Sequence, residues 1–477
     1  MRKYIAIWIL AVMLGGCDDF LTVQPKSDIK DSDLFKTPEG CEDALYGAYS
    51  NLGTDGVYGR MMRYYLPEAL AQSYNASNLA SALTDMMDYN HDLADPREVY
   101  GTAWAAMYTA IGYVNDIVTN VEKYGKDFKY YDCYLGEALG MRAFMHFDLV
   151  RLFAPSYTSK PDAQAIPYVT RWMAKVTPFS TVKEVYGKIL SDLRESERLL
   201  VATEKIIPRE DENFMKQRNL HFNLDAARAT LARVYLTIGD LDSARFYAEQ
   251  VILSKRYELA ENSEMPDLMA FVVSGKEAIW GIEQRDPMTD LTKYFYTPGT
   301  SGLLPRTDIS SFYVSGGTDI DLRGKWFRSR KSDSGEAGKI AYFLKFFDED
   351  HYYNPSGSPY KGTPGLNMIR IAEMYLIAAE GWMEDDPAKA TAYFDQMSTS
   401  RGRPSLKDAG KTVTLKDINE ERYREFFGEG QEWFNMKRQN RDLLIYSKQE
   451  TVPGTDELYT ITIPDDEFDY RYMDEEE

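Results

Sequence analysis

Residues 224–254, LDAARATLARVYLTIGDLDSARFYAEQVILS, decide the fold class. In the first half, small side chains and one tyrosine recur at helical spacing, at Ala226, Ala229, Ala232 and Tyr235. This pattern stops at Gly239-Asp240, which is a turn signal. The second half repeats it with Ala244, Tyr247, Ala248, Val251 and Ile252. Small residues at a crossing let two antiparallel helices approach closely, so the stretch predicts a helical hairpin.

A second hairpin of the same design is predicted at residues 368–397. Its turn contains Asp386, a suitable N-cap residue, followed by Pro387, which fits the first turn of a helix. Both segments resemble tetratricopeptide hairpins, which are normally recognised by a 34-residue pattern. Two such units far apart in sequence favour a solenoid-like helical scaffold, with generic amphipathic hairpins as the alternative.

Helical periodicity also appears in four other segments, Pro38–Leu52, Val99–Val121, Leu135–Phe153 and Val182–Leu200. In each one the apolar stripe is wide enough to pack on a neighbouring element. The fold class is therefore mainly α: a tetratricopeptide-type helix-pair solenoid with a loop-rich ligand-binding region. Minor β structure is expected, largely within residues 284–365.

Two long segments, about 58–95 and 284–365, show broken periodicity and are rich in tyrosine and polar residues. Long irregular stretches within a compact domain usually carry function. Aromatic rings flanked by amide and guanidinium groups combine apolar faces with hydrogen-bonding groups, which suits a small polar ligand. The predicted ligand-binding residues are Tyr74, Asn75, Asn78 and Tyr89 in the first segment and Arg285, Tyr294 and Tyr296 in the second.

The N-terminus has the layout of an export signal. Arg2 and Lys3 precede an apolar stretch, Tyr4–Leu14, which is too short to span a bilayer. The following Leu14-Gly15-Gly16-Cys17 resembles a bacterial lipobox. We therefore expect residues 1–16 to be a lipoprotein signal peptide and Cys17 to be lipidated, which anchors the protein in a membrane. The alternative is an ordinary secretory signal that contains a cysteine.

The overall charge argues against nucleic acid as a partner. The formal net charge of −20 becomes −22 once Arg2 and Lys3 are removed with the signal, and no basic patch offsets it. The two remaining cysteines, Cys41 and Cys133, are compatible with a disulfide or with two buried thiols.

Residues suited to catalysis are sparse. The four histidines lack the spacing of metal ligands, and no phosphate-binding or nucleophile motif is present, so no catalytic residue, metal or cofactor is expected. Glu421 and Glu425 alternate with Arg422 and Arg424, which predicts ion pairs within one helix. A helical glycoside hydrolase is the rival enzyme class, because 75 acidic residues supply many possible carboxylate pairs.

Several motifs, in the same order along the chain, resemble those of the SusD/RagB family of outer-membrane nutrient-binding lipoproteins. They are Cys17-Asp18-Asp19-Phe20-Leu21, TPEGCEDALYGAYSNL (residues 37–52), GEALGMRAFMHFDLVRLFA (136–154), Ile166-Pro167, LKDINEERYREFFGEGQEWFNMKR (415–438) and Thr462-Ile463-Pro464. Two departures stand out: Glu432 takes the place of the family's usual arginine before Trp433, and the family's closing Asn-Pro-Gly-Tyr tail is missing.

The resemblance implies a single SusD-like domain over residues 17–477, anchored by lipid at the cell surface of the outer membrane. It implies a SusC-like TonB-dependent transporter as partner, to which the protein delivers captured oligosaccharides. A peptide ligand on the same architecture is the alternative. Trp326, which follows Asp321-Leu322-Arg323, is interpreted as a scaffold residue of the family.

Overall fold

Helices dominate the chain. The structure is a computed structural model that describes residues 31–75, 79–172, 176–261, 264, 272–284, 291–296, 302–314, 321–330, 340–360 and 362–469. The α-helices are α1 Asp31–Leu34, α2 Pro38–Leu52, α3 Leu66–Leu70, α4 Ser81–Met87, α5 Ala94–Tyr124, α6 Tyr131–Phe153, α7 Val182–Thr203, α8 Leu224–Ile238, α9 Leu241–Ser254, α10 Glu349–Tyr353, α11 Ile371–Trp382, α12 Pro387–Ser400, α13 Leu415–Phe426, α14 Glu432–Arg438 and α15 Asp456–Tyr459. One-turn π-helices cover Met61–Tyr65 and Thr292–Tyr296, and 3₁₀ turns cover Asn213–Met215, Arg218–Leu220, Ile309–Tyr313 and Leu322–Trp326.

Both predicted hairpins are confirmed, as α8–α9 and α11–α12. The Asn223 side chain caps α8 by accepting from the Ala226 amide at 2.9 Å, and Gly239 ends that helix with a left-handed φ of +85°. Asp386 caps α12 by accepting from the Lys389 amide at 2.9 Å. Ala232 is completely buried in α8, as a close helix crossing requires.

The hairpins belong to one continuous array. Along the chain, α5, α6, α7, α8 and α9 each pack on the next, α9 packs on α11, and α11 packs on α12. Tyr235 of α8 and Tyr247 of α9 stack with ring centroids 5.6 Å apart, filling the groove between their helices. This arrangement confirms the solenoid-like scaffold. Among the described residues, no helix is long and apolar enough to span a bilayer.

Short antiparallel strand pairs brace the helices. They join β1 Gln164–Pro167 to β2 Phe179–Thr181, β3 Ala278–Glu283 to β6 Gly365–Arg370, β4 Phe327–Arg330 to β5 Ile340–Phe343, and β7 Leu443–Ile445 to β8 Glu450–Val452. Of the strands in the described residues, only β4 and β5 lie wholly within 284–365, so the prediction that strands lie largely in that range is wrong. Strands of three to six residues offer too few alternating positions to be recognised in a sequence.

The first predicted irregular region, 58–95, is also more helical than expected. It contains the π-helical turn Met61–Tyr65, then α3 and α4, and it ends in the first turn of α5. Every residue of α3 is buried. A short helix buried all round has no polar face, so it lacks the amphipathic pattern by which longer helices are recognised.

A buried carboxylate on α13 joins distant parts of the chain. Glu425 pairs with Arg323 at 2.9 Å, Arg370 at 2.5 Å and Arg401 at 2.9 Å, and all four side chains are at most 2% exposed. The predicted pairing within the helix is confirmed for Glu421 and Arg424, at 3.1 Å. The prediction is wrong for Glu425, which pairs instead with three arginines from other elements. These arginines compensate for the desolvation of its carboxylate in the core.

The pairs around Glu425 extend into a larger buried ion network. Glu277 bonds Arg370 at 2.9 Å and Arg401 at 2.7 Å, while Glu429 bonds Arg370 at 2.5 Å and Lys345 at 2.6 Å. The acids of the network are Glu277, Asp321, Glu421, Glu425 and Glu429, and its bases are Arg63, Arg323, Lys345, Arg370, Arg401 and Arg424, with the partly buried Arg403 at its edge. Every acid contacts at least one base, which is the condition for burying these charges together.

Trp326 and the two cysteines are internal residues. Trp326 is fully buried, with the Lys345 ammonium 4.1 Å from its ring centre, which confirms its scaffold role. Cys41 and Cys133 are both buried and both free thiols. Of the two alternatives that the sequence left open, the structure therefore shows two buried thiols.

Ala232→Trp should destabilise the protein by about 1–3 kcal/mol or more, because overpacking a close helix crossing forces strained rotamers. Ala392→Trp, at an exposed position of α12, is the matched control and should change stability little. Urea unfolding followed by circular dichroism measures both. Equal stability of the two variants would contradict the packing described for α8.

Candidate functional site

A cavity of about 710 Å³ opens between segments that are distant in sequence. Its walls are the C-terminal half of α2 with the chain that follows, the 3₁₀ turns between α7 and α8, and the end of β3. The lining residues are Tyr46, Tyr49, Ser50, Gly53, Asp55, Gly59, Tyr64, Asn213, Lys216, Gln217, Leu220, His221, Glu283, Gln284 and Leu291. Aromatic rings, amides and charged groups therefore share one concave surface.

Two walls are tied together directly. The Gln284 side-chain amide, just beyond β3, donates to the Gly53 carbonyl at the end of α2 at 2.6 Å. Gly59 passes close to this bond: a Cβ there would lie 2.3 Å from the Gly53 oxygen and 2.7 Å from the Gln284 amide nitrogen. Only glycine at position 59 lets the backbone pass this close to the hydrogen bond. The hydrogen bond holds these two walls together in the absence of ligand.

Behind the cavity, Glu137 of α6 holds a buried polar cluster. It accepts from the Tyr49 hydroxyl at 2.6 Å, lies 3.2 Å from His221 Nδ1, and forms an ion pair with Arg218. The Tyr49 hydroxyl in turn accepts from the Phe222 amide at 2.8 Å. These bonds fix two residues of the wall, Tyr49 and His221, on the helical scaffold.

Burial alone would raise the pKa of Glu137. The neighbouring Arg218 and His221, together with the hydrogen bond from Tyr49, outweigh burial and lower that pKa to about 2. Glu137 is therefore ionised at neutral pH and serves as the fixed anion of the cluster.

Tyr46 is the exposed aromatic residue of the cavity. Its side chain is 44% exposed, and its ring meets the rings of Phe214 at 5.5 Å and His221 at 5.8 Å edge-on. Those contacts orient the ring while leaving much of it accessible to a ligand. A held, half-open aromatic ring of this kind suits the apolar face of a small polar molecule.

Arg60, next to the lining residue Gly59, lies between two tyrosine rings. Its guanidinium carbon is 4.9 Å from the ring centre of Tyr65 and 5.6 Å from that of Tyr294, and its Nε lies 3.7 Å from Asp55. Cation–π contacts on two sides restrict the guanidinium. This part of the site joins the two regions that were singled out in the sequence.

Three of the predicted ligand-binding residues lie in the second region. Tyr294 is 9% exposed and contacts Arg60, close to the lining residue Leu291. The backbone of Tyr296 ends the same π-helical turn, and its side chain lies outside the described residues. Arg285 also lies outside them. Ligand contact by these residues stays a prediction.

The other four predicted residues lie in the first region. Tyr74 is fully buried, pairs with Pro305 in a β-bridge and donates its hydroxyl to the Tyr64 carbonyl. A segment of the chain more than two hundred residues away therefore encloses its ring. Ligand contact by Tyr74 stays a prediction.

Asn75 and Tyr89 are placed differently. The backbone amide of Asn75 donates to the Leu304 carbonyl at 2.9 Å, next to the bridge between Tyr74 and Pro305. Tyr89 is partly buried; its ring stacks on Trp433, and its hydroxyl donates to the Leu70 carbonyl at 3.0 Å. Ligand contact by Asn75 and Tyr89 stays a prediction. Asn78 lies outside the described residues, as does Cys17, the predicted lipidation site.

Sequence reasoning missed Tyr46, Arg60 and the 213–221 turns. Tyr46 did carry a signal, since it falls off the apolar stripe of α2 and a large aromatic on a polar face needs a reason. The turns carried a weaker one, a polar stretch between two strong helices. These segments come together only in the folded protein, so the local periodicity of the sequence does not reveal that they form one site.

All four histidines have hydrogen-bond partners within the protein. His146 is fully buried, lies 2.9 Å from the Arg142 carbonyl and accepts from the Val169 amide at 3.0 Å. Burial lowers its pKa to about 3, so it is neutral at physiological pH. Across the described residues there is no group of three or more His, Cys, Asp or Glu placed to hold a metal ion.

Comparison with protein families decides the identity of the fold. Residues 19–236 match a SusD-like family described as starch-binding and associating with the outer membrane, and residues 318–476 match the SusD family itself. The chain belongs to the SusD/RagB family.

Individual relatives of this SusD/RagB protein agree. A SusD-like protein of Formosa agariphila is 23% identical and aligns over 90% of this chain and 89% of its own. A SusD superfamily structure from Bacteroides thetaiotaomicron superposes with a TM-score of 0.75 at 22% identity, covering 90% and 97% of the two chains. A laminarin-binding SusD-like protein superposes with a TM-score of 0.68 at 18% identity, and the match covers 91% of this chain and 97% of the other. The fold described above is thus the SusD superfamily fold.

Glu137→Gln should lower the free energy of unfolding by about 3 kcal/mol at pH 7, because it leaves Arg218 without its anion. The folded pKa of about 2 lies below the ordinary value of 4.5, so the wild-type contribution is present above pH 4.5 and is lost as the pH falls towards 2. The difference between the two proteins should shrink over that window. Glu98→Gln, at an exposed position of α5, is the control. A difference that stays constant from pH 7 to pH 2 would contradict the assignment.

Proposed function

We propose that this SusD/RagB protein is a surface lipoprotein that captures oligosaccharides in the cavity beside Tyr46 and delivers them to a TonB-dependent outer-membrane transporter. The observation that carries the proposal is the cavity itself. It combines an exposed, oriented aromatic ring with amide, ammonium and carboxylate groups in a protein of a glycan-binding family.

The chemistry of the cavity supports a saccharide. Tyr46 offers a ring to the C–H face of a sugar, while Asn213, Gln217 and Lys216 supply polar groups for its hydroxyls. Arg60, next to the lining residue Gly59, carries a guanidinium that contacts the rings of Tyr65 and Tyr294. Restrained side chains lose little conformational entropy when a ligand binds, which favours binding.

We propose capture without catalysis. Retaining and inverting glycosidases both need one protonated acid and one carboxylate across the scissile bond. Here Glu137 is an ion held behind the wall, and its lowered pKa makes it unsuited to donate a proton at neutral pH. Incubation with a glycan that binds should therefore release no new reducing ends.

Tyr46→Ala should weaken glycan binding by about 1–3 kcal/mol, or roughly five- to a hundredfold, the scale of a hot-spot aromatic. Its thermal midpoint should move little, because the ring is 44% exposed and supports little of the core. The matched control is Tyr353→Ala, another exposed tyrosine, 63% exposed, that does not line the cavity. A glycan array identifies the ligand, and calorimetric titration then compares the variants.

Two results would contradict this proposal. Unchanged affinity in Tyr46→Ala would place the saccharide elsewhere. Binding confined to a peptide library run beside the glycan array would replace the ligand class and favour the peptide-capturing alternative.

The anchor and the partner rest on the lipobox-like residues and on the family. Cys17→Ala should release soluble protein from cells, whereas acyl-chain labelling of the wild type should map to Cys17. Under mild detergent extraction, the wild type should co-purify with a large β-barrel transporter. Soluble, unlabelled wild-type protein would refute the anchor, and isolation as a lone species, with the barrel present in the same membrane, would count against delivery.

A further inference from the structure

Away from the cavity, two aromatic side chains stack on each other at the protein surface. Tyr113 on α5 is 47% exposed, and Trp172, beyond β1, is 60% exposed. Their ring centres are 6.2 Å apart and their planes differ by 17°. Neither residue lines the cavity beside Tyr46. Large aromatic side chains this open are costly to leave in water, so the pair calls for a reason.

Gly112 makes room for the indole. A Cβ at this position would lie 2.0 Å from Cζ3 and 2.3 Å from Cε3 of Trp172, so any side chain there would displace the ring. Gly112 lies inside α5, where glycine costs about 1 kcal/mol relative to alanine. The helix therefore has this glycine at a position where the Trp172 indole packs against it.

The chain leading to Trp172 is held by buried groups. The Asn115 side chain donates to the Val169 carbonyl at 3.0 Å, and the Val169 amide donates to His146 Nε2 at 3.0 Å. Arg142 lies within 3.5 Å of the Thr170 carbonyl. Asn115, His146 and Arg142 are all buried on α5 and α6. The indole is therefore placed before binding, which lowers the entropy cost of using it.

Polar residues lie next to both rings. Thr109 and Asp116 flank Tyr113 one turn away on α5, and the exposed Thr170 and Arg171 precede Trp172. Specific protein interfaces bury about 800 Å² on each partner, far more than two rings provide. The two near-parallel rings, each about half exposed, instead offer a small apolar surface within polar surroundings. The patch fits a short run of a saccharide chain better than a protein.

We infer that Tyr113 and Trp172 form a second saccharide-binding surface, which holds part of a long glycan while another part occupies the cavity. This inference rests on the proposed function for the class of ligand. Binding at two points on one protein raises the affinity for a polysaccharide that can reach both, without changing the affinity for a short fragment that reaches only one.

Affinity electrophoresis in gels containing laminarin, starch or one of a panel of plant polysaccharides tests the inference. Trp172→Ala should weaken retardation by the bound polysaccharide about fivefold or more. Gly112→Ala should do the same by displacing the indole, although alanine favours the helix. Phe246→Ala, which removes a 54% exposed ring elsewhere, is the control and should leave retardation unchanged. Thermal melts confirm that each variant is folded.

The outcomes separate this inference from the proposed function. If Tyr46→Ala weakens retardation while Trp172→Ala and Gly112→Ala do not, the second surface is refuted and the cavity stands. If Trp172→Ala keeps full retardation but loses a co-purifying protein, the pair is a protein contact and the inference also fails. If the wild type is retarded by no polysaccharide, both proposals fail.

Discussion

The structure depends on burying a network of acidic and basic side chains together. Glu425 at the centre of the buried ion network contacts Arg323, Arg370 and Arg401, which come from a 3₁₀ turn, the end of β6 and the end of α12. Removing one partner from such a set leaves an uncompensated charge in the core, at a cost of about 3–5 kcal/mol. The network therefore allows one arrangement of these elements and penalises the rest. It defines how the helical array meets the part of the chain that surrounds β3 and β6.

The same network reaches the functional site through β3. Glu277, one of its acids, immediately precedes β3, and the far end of that strand supplies Glu283 and then Gln284 to the cavity wall. Gln284 in turn bonds the end of α2. Tyr49 of α2 and His221, elsewhere on the cavity wall, are held by Glu137 of the helical array. The walls of the cavity are thus positioned by buried charges.

Helices with one polar face could be predicted from the sequence. The predicted and observed limits of α2 coincide, and both hairpins were located from their Ala/Tyr stripes. The elements that were missed have no such face: α3 is buried all round, and the strands are too short to show alternation. The partners of Glu425 were missed for a related reason, since a helix shows its own i,i+4 neighbours but not the arginines that fold against it.

The candidate site was predicted in part. Tyr294 was named from its loop and lies beside Arg60, whereas Tyr74 was named by the same reasoning and is enclosed in the core. A loop tyrosine looks alike in sequence whether it faces water or a distant strand. The main claim, that an oligosaccharide binds intact against Tyr46, is tested most directly by a crystal structure with a glycan that binds in solution. We predict a sugar ring in the cavity, in contact with Tyr46, with its glycosidic bonds unbroken. A saccharide bound only outside the cavity, or a cleaved one within it, would contradict the account.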